Sequence, residues 1–401
     1  MAWAESGQVD AAPQAQRLLD RLVGLSMRAG SKNKKAASVA VARPNVICYT
    51  TVMRAWSRSP ANNNGKEAID KAERLLGTLE RLFGDSHEKD IRPTSVSYRT
   101  MIDCYMRQTR DSAEAADKAQ QIVDRMMRLH EMEPTYFAEP CIIVLNALLK
   151  AYSRSSNPRA GLQAEELLKW MDQTSREAGK EHVKPDYSSF AAVLHAWANH
   201  ASNGGAQRAQ EILEHVEELL LSSSPEEGEY PGSSGDGNNS VHRGALVNYY
   251  YIVIKAWGRS KDPNAIQRTE ALLERMEQSR HIQPDTRTYS SAINCCAYYN
   301  GSTSKGRHLA LSFAMKTFEK ACQSENDPPN YVTYGTIMKA IGRLEDGGVE
   351  ERDVLLKPIF EKCKEQGLVE RFVLTQFRTG CSLEAFQECV LIPAGFGPIN
   401  G

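Results

Sequence analysis

Long apolar runs are absent from this 401-residue sequence. None approaches the roughly 18 apolar residues that a membrane-spanning helix needs, so no such helix is expected. Charge of one sign is scarce as well: 49 basic and 50 acidic side chains leave a formal net charge of −1. That balance excludes a basic field over the whole molecule, and contact with a polyanion would have to come from a local stripe. The nine cysteines are dispersed and include no C-x-x-C pair, which argues against a disulfide framework or a zinc site. Cys295 and Cys296 lie in an apolar helical pattern and are expected to be buried as small hydrophobes. Catalytic signatures are missing too. There is no P-loop, no G-x-S-x-G, no H-E-x-x-H, and no His-x-Glu with Cys-x-x-Cys of the zinc deaminases. No enzymatic activity, metal or cofactor is expected.

What is there is a repeat. A chain of this length exceeds one compact core, and its 41% apolar and 25% charged residues are those of an ordered protein. One phrase recurs: an apolar run, a small residue, an aromatic, then a polar turn. It reads Tyr49-Thr-Thr-Val-Met-Arg-Ala-Trp56 and returns, with matched apolar places, from Tyr98 to Tyr105, Leu145 to Tyr152, Phe190 to Trp197, Tyr250 to Trp257, Tyr289 to Cys296 and Tyr334 to Ile341. Each copy is followed by a second stretch, as in Ala72-Glu-Arg-Leu-Leu-Gly-Thr-Leu79. Its apolar residues at i, i+3, i+4 and i+7 mark one face of a helix. Before a new copy a proline often stands, as at Pro44, Pro93, Pro140, Pro185, Pro284 and Pro329. Proline cannot continue the preceding helix, and the residue after it can cap the next one.

The spacing predicts an all-α chain of helix-turn-helix repeats. Full units are expected at residues 46–94, 95–141, 142–186, 187–246, 247–285, 286–330 and 331–368, flanked by a partial repeat over 1–45 and a partial repeat with an irregular tail over 369–401. The Ser-, Gly- and Asn-rich stretch 222–244 reads as a disordered surface loop. Pro358 predicts a kink or early break in the last long helix. Ala2-Trp3 matches the repeat phrase, so the chain is expected to begin inside a truncated first repeat; the missing targeting peptide then carries no information.

On these residues the chain resembles the pentatricopeptide repeat family over nearly its whole length. The likeness rests on the Tyr-x-x-x-(Ile/Met/Leu) first helix, the Ala-x-x-Leu-Leu/Phe second helix and the Pro-Asp or Pro-Asn before a new unit. Tyr289 after Pro284-Asp285 and Tyr334 after Pro329-Asn330 match best. The related tetratricopeptide repeats, which bind peptides, are the rival.

The resemblance implies a right-handed superhelical solenoid that binds single-stranded RNA in a mitochondrion or plastid, without catalysis, with protein partners but no membrane. Each unit addresses one base with two or three side chains. Carried onto this sequence, the base-selecting pairs are Asn146 with Asp186, Ser290 with Asn330, and the non-standard Thr50 with Thr94. Arg99 with Cys141, Ala191 with Leu246, Tyr251 with Asp285, and Gly335 depart from the pattern. The place that sandwiches the base holds Ile47, Val96, Ile143 and Val332, but also Ser188, Asn248 and Arg287.

A basic stripe is the phosphate-contacting candidate. Arg58, Arg107, Arg154, Arg259 and Arg343 hold one place in their units, and Arg54, Lys150, Lys255 and Lys339 lie four residues earlier on the same helix face. A line of cations beside a groove can follow a phosphate backbone even at zero net charge. Trp56, Trp197, Trp257, Tyr105 and Tyr152 recur on the apolar face and are expected to be core, not base-stacking residues. The competing function is a scaffold whose groove holds a peptide or partner helix.

Overall fold

The structure is a computed structural model, and it describes residues 10–31, 43–60, 65–222, 237–280, 282–301, 303–324 and 327–391. Among them are seventeen α-helices and no strand. The contacts divide the chain into two compact units, Met1–Ala196 and Trp197–Gly401, with the boundary inside one helix.

The first unit contains α1 (Ala11–Ser31), α2 (Val46–Arg58), α3 (Lys66–Ser86), α4 (Ser95–Gln108), α5 (Ser112–Met132), α6 (Ile142–Arg154), α7 (Ala160–Glu177) and the start of α8 (Tyr187–Asn199). Its first helices α2, α4 and α6 lie side by side, and α3 and α5 each pack on their own first helix and on the next. The second unit contains α9 (Gly205–Ser222), α10 (Gly237–Ser260), α11 (Ala265–Gln278), α12 (Thr286–Ala297), α13 (Ser304–Gln323), α14 (Tyr331–Leu344), α15 (Val349–Glu365), α16 (Arg371–Gly380) and α17 (Leu383–Leu391). Here α10, α12, α14 and α16 form the layer of first helices, and α11, α13 and α15 bridge successive members of it.

Local sequence explains where these helices start. Asn45, after Pro44, caps α2 by accepting from the Cys48 amide at 3.1 Å. Asp186, Asp285 and Asn330 do the same for α8, α12 and α14 at 2.9, 2.8 and 3.2 Å, and Thr94 with Ser97 closes a capping box on α4. Such a cap contributes about 1 kcal/mol. The proline before it stops the previous segment.

The apolar face then decides the packing. On α2 the spaced residues Tyr49, Val52, Met53 and Trp56 are all buried. On α3 they face Ala72, Leu75, Leu76, Leu79 and Phe83, also buried. Each large side chain removed from water contributes roughly 2 kcal/mol. The end-of-helix aromatics Trp56, Tyr105, Tyr152 and Trp257 are buried core residues, as expected, while Trp197 is half-buried. The polar tips of the four buried ones are satisfied by the preceding second helix: Trp56 donates to Gln16 at 3.2 Å, Trp257 to Gln210 at 2.9 Å, Tyr105 to Glu73 and Tyr152 to Gln120, whereas the buried Trp197 Nε1 has no partner among the described residues. Cys295 and Cys296 are buried too.

A second tie repeats. Tyr98 of α4 donates to Glu80 of α3 at 3.1 Å, and Arg125 of α5 pairs with the same carboxylate. In the second unit Tyr250 of α10 donates to Glu217 of α9 at 2.8 Å, with Arg275 of α11 as the cation. Each buried glutamate thus joins three successive helices.

Two expectations need correction or restatement. The helix over Val349–Glu365 continues through Pro358 instead of breaking there. Pro358 is exposed, and so is Val354, whose carbonyl loses its amide donor, so water can satisfy it. Helix α10 begins at Gly237, inside the stretch 222–244 read as a loop; residues 223–236 lie outside the described residues. Ala2-Trp3 and the tail beyond Leu391 also lie outside them.

Candidate functional site

The N-terminal turns of the first helices carry the candidate selecting residues, and a repeated geometry brings them together. Asn146 of α6 donates from Nδ2 to Asp186 Oδ1 at 3.0 Å, and Ser189 Oγ donates to Asn146 Oδ1 at 2.6 Å. Thr50 of α2 meets Ser97 at 3.0 Å, and Ser97 lies 3.4 Å from Thr94 Oγ1. Ser290 of α12 meets Thr333 at 2.9 Å, and Thr333 donates to Asn330 Oδ1 at 3.4 Å. In every case the link is a fully buried hydroxyl three residues after the helix cap: Ser97, Ser189 or Thr333. Sequence reasoning missed this hydroxyl, although its signal was present. Of the departing places, Cys141 is followed by Val144, which has none, whereas Asp285 is followed by the buried Thr288, which donates to it at 2.6 Å.

The hydrogen-bond inventory states what such a pair can do. Asn146 spends one of two amide hydrogens on Asp186 and one of two carbonyl lone pairs on Ser189. One donor and one acceptor remain, a set able to face the polar edge of a planar heterocycle. Asn330 uses Oδ1 to cap α14, while its Nδ2 has no partner among the described residues.

The candidate sandwiching residues sit three positions earlier, one helical turn away on the same face. Ile47 is 56% exposed, Val96 and Ile143 are 43% exposed, and Val332 is 38% exposed. Four aliphatics at one register that stay in water are not needed by the core, and flank the selecting pairs.

The basic residues complete the face. Arg54, Arg58, Arg107, Lys150, Arg154, Arg259 and Arg343 are exposed, with Lys255 and Lys339 half-buried. None of the nine forms an ion pair with a described residue, whereas Arg125, Lys180, Arg275, Arg307 and Lys320 are all paired with carboxylates. In the same register α12 ends in Tyr298, not a cation. Its ring lies 3.9 Å from Lys339 Nζ and 5.4 Å from the Arg343 guanidinium. The Lys339 ammonium holds the Tyr298 phenol below its ordinary range.

All three kinds of residue meet in one place in the first unit. A groove of about 650 Å³ is lined by Ile143, Asn146, Asp186, Lys150, Arg154 and Arg99, among others. Of these cations Arg99 reaches Asp103 at 3.8 Å, so its charge is partly offset. Among the described residues no cluster of His, Cys, Asp or Glu is placed to hold a metal ion, and no helix is long and apolar enough to cross a membrane.

Fold and face together define an all-α helical-repeat protein whose units each carry a polar, cation-edged layer of first helices. No protein-family model matches the sequence, and no curated protein matches it. Among solved structures, the pentatricopeptide repeat protein PPR10 from maize is similar, with a TM-score of 0.27 and 16% identity over 96% of this chain. The chain spans 56% of that protein.

Proposed function

We propose that this chain binds single-stranded RNA without catalysing its conversion, and that it acts on organellar transcripts, in a mitochondrion or plastid, in their processing, stability or translation. The observation that carries the reading is the groove on α6, where an exposed aliphatic, a half-satisfied Asn–Asp pair and two unpaired cations line one space. These are the three contacts a splayed-out nucleotide needs: a stacking surface, a polar edge and a phosphate partner. Five further first helices, α2, α4, α10, α12 and α14, repeat parts of the set. The resemblance of the repeat phrase to pentatricopeptide repeats supports the organellar setting.

The test is selection from a random single-stranded RNA pool at low and at moderate salt. Enrichment of a sequence, with affinity falling as salt rises, supports the proposal. No binding at low salt removes it. Capture of peptides in preference to RNA would favour the scaffold reading. The setting is tested separately by the location of a fluorescent fusion to the full-length native product.

A further inference from the structure

The departures from the selecting pattern in the second unit are coupled in pairs. Tyr251 of α10 holds a selecting place, and Arg287 of α12 holds the next sandwiching place. Alone, each breaks the pattern. In the structure the Arg287 guanidinium lies 5.3 Å from the centre of the Tyr251 ring, with Lys255 Nζ 5.4 Å from the same ring. Asp285, the second selecting residue of this station, caps α12 through Oδ1 at 2.8 Å and holds Arg287 through Oδ2 at 2.9 Å. Both of its oxygens are committed.

At the other departing station, Gly335 of α14 has no side chain. Phe372, at the next sandwiching place on α16, fills the space: a Cβ on Gly335 would stand 2.3 Å from Phe372 Cε1. The ring is nevertheless 36% exposed. Between these two stations lies Ser290 with Asn330, whose linking hydroxyl Thr333 is in place.

We infer that the Tyr251–Arg287 and Gly335–Phe372 stations each stack an unpaired nucleobase without reading it, and flank one reading station at Ser290–Asn330. The inference rests on the RNA reading above. A phenyl ring offers a π-face and no hydrogen-bond donor, so it accepts any base; a guanidinium held over a tyrosine ring offers a planar face as well. Three consecutive nucleotides are then held by stacking, selection and stacking. This makes the loss of selecting pairs at the outer two stations a change of contact type.

The experiment uses the full chain and an RNA recovered from the random pool. Phe372→Ala and Arg287→Ala are each expected to weaken binding about tenfold and to leave base preference at every position unchanged. Ser290→Ala is expected to alter preference at one position only. Phe372→Leu keeps apolar cover over Gly335 but lacks a π-face. It is expected to lose affinity while keeping the thermal midpoint of the unaltered chain, which separates stacking from packing. Photo-crosslinking with 4-thiouridine at successive positions is expected to mark Tyr251 and Phe372 at nucleotides two apart. Full affinity in Phe372→Leu and Arg287→Ala, or a shift of base preference in either, overturns the inference while leaving RNA binding intact. A chain that binds no RNA overturns both.

Discussion

Arg54 and Arg58 lie four residues apart on one face of α2, exposed and without an acidic partner among the described residues. Replacing both with Gln keeps their length and polarity and leaves no carboxylate stranded. Stability should therefore change by less than about 0.5 kcal/mol. RNA affinity should respond strongly. Each phosphate contact on a single strand contributes about 0.7 to the slope of log K against log salt. With the five cations of the first unit engaged, Arg54, Arg58, Arg107, Lys150 and Arg154, the slope would be about −3.5, and the double variant should lower its magnitude by about 1.4. At about 0.1 M salt one such contact is a factor of roughly five, so the double variant should bind about 25-fold more weakly, close to 2 kcal/mol. The assay is fluorescence anisotropy of a labelled RNA over a range of salt concentrations. Arg275→Gln is the control. That cation is held by the buried Glu217, so its loss should lower stability and leave the slope unchanged. An unchanged slope in Arg54→Gln/Arg58→Gln, or an equal fall in the control, would refute the assignment of the row to phosphate.

Other consequences can be measured independently. Asn146→Ala with Asp186→Ala should abolish base preference at a single position of the selected RNA, read by binding to point-substituted oligonucleotides; unchanged preference there would show that this pair does not select. Glu80→Ala strands the Tyr98 hydroxyl and weakens a tie across α3, α4 and α5, so chemical denaturation should show a loss of about 2–3 kcal/mol, less than for a fully buried pair because Arg125 is 38% exposed. Pro358→Ala restores an amide donor to α15 and should stabilise the chain by about 1–3 kcal/mol, visible as a raised thermal midpoint. Burial pushes the phenols of Tyr98, Tyr152 and Tyr250 above their ordinary value of 10.0, Glu217 adding to the effect at Tyr250. The folded state then keeps protons that the unfolded state releases, so stability is full below about pH 10 and falls as pH rises beyond it. Phenolate absorbance should accordingly develop late and together with unfolding; early phenolate in a fully folded chain would contradict that burial.

The helical repeat was legible because its determinants are local. Pro44-Asn45, Pro185-Asp186 and Pro284-Asp285 announce a stop and a cap within two residues, and Tyr49, Val52, Met53 and Trp56 show their face by spacing alone. The same locality explains why the early break expected at Pro358 does not occur. Its cost depends on whether the orphaned carbonyl meets water, which burial decides. The candidate face was half legible. The register of the cations and of Ile47, Val96, Ile143 and Val332 could be counted along the chain. That Arg125 and Arg275 are tied to buried glutamates while Arg54 and Arg154 are not could not be counted, because their partners lie on other helices.

The sequence by itself determined the helices, their caps and the amphipathic phase that makes one helix of each pair a neighbour of the next, since hydrogen bonding within a turn and a 3.6-residue period need no distant information. Only the tertiary structure decided which side chains meet between units. Ser189 joins Asn146 to Asp186 across 43 residues, Arg287 settles on Tyr251, and Phe372 fills the space over Gly335. These contacts depend on how closely neighbouring first helices approach, which is set by the packing of the whole layer rather than by any one repeat.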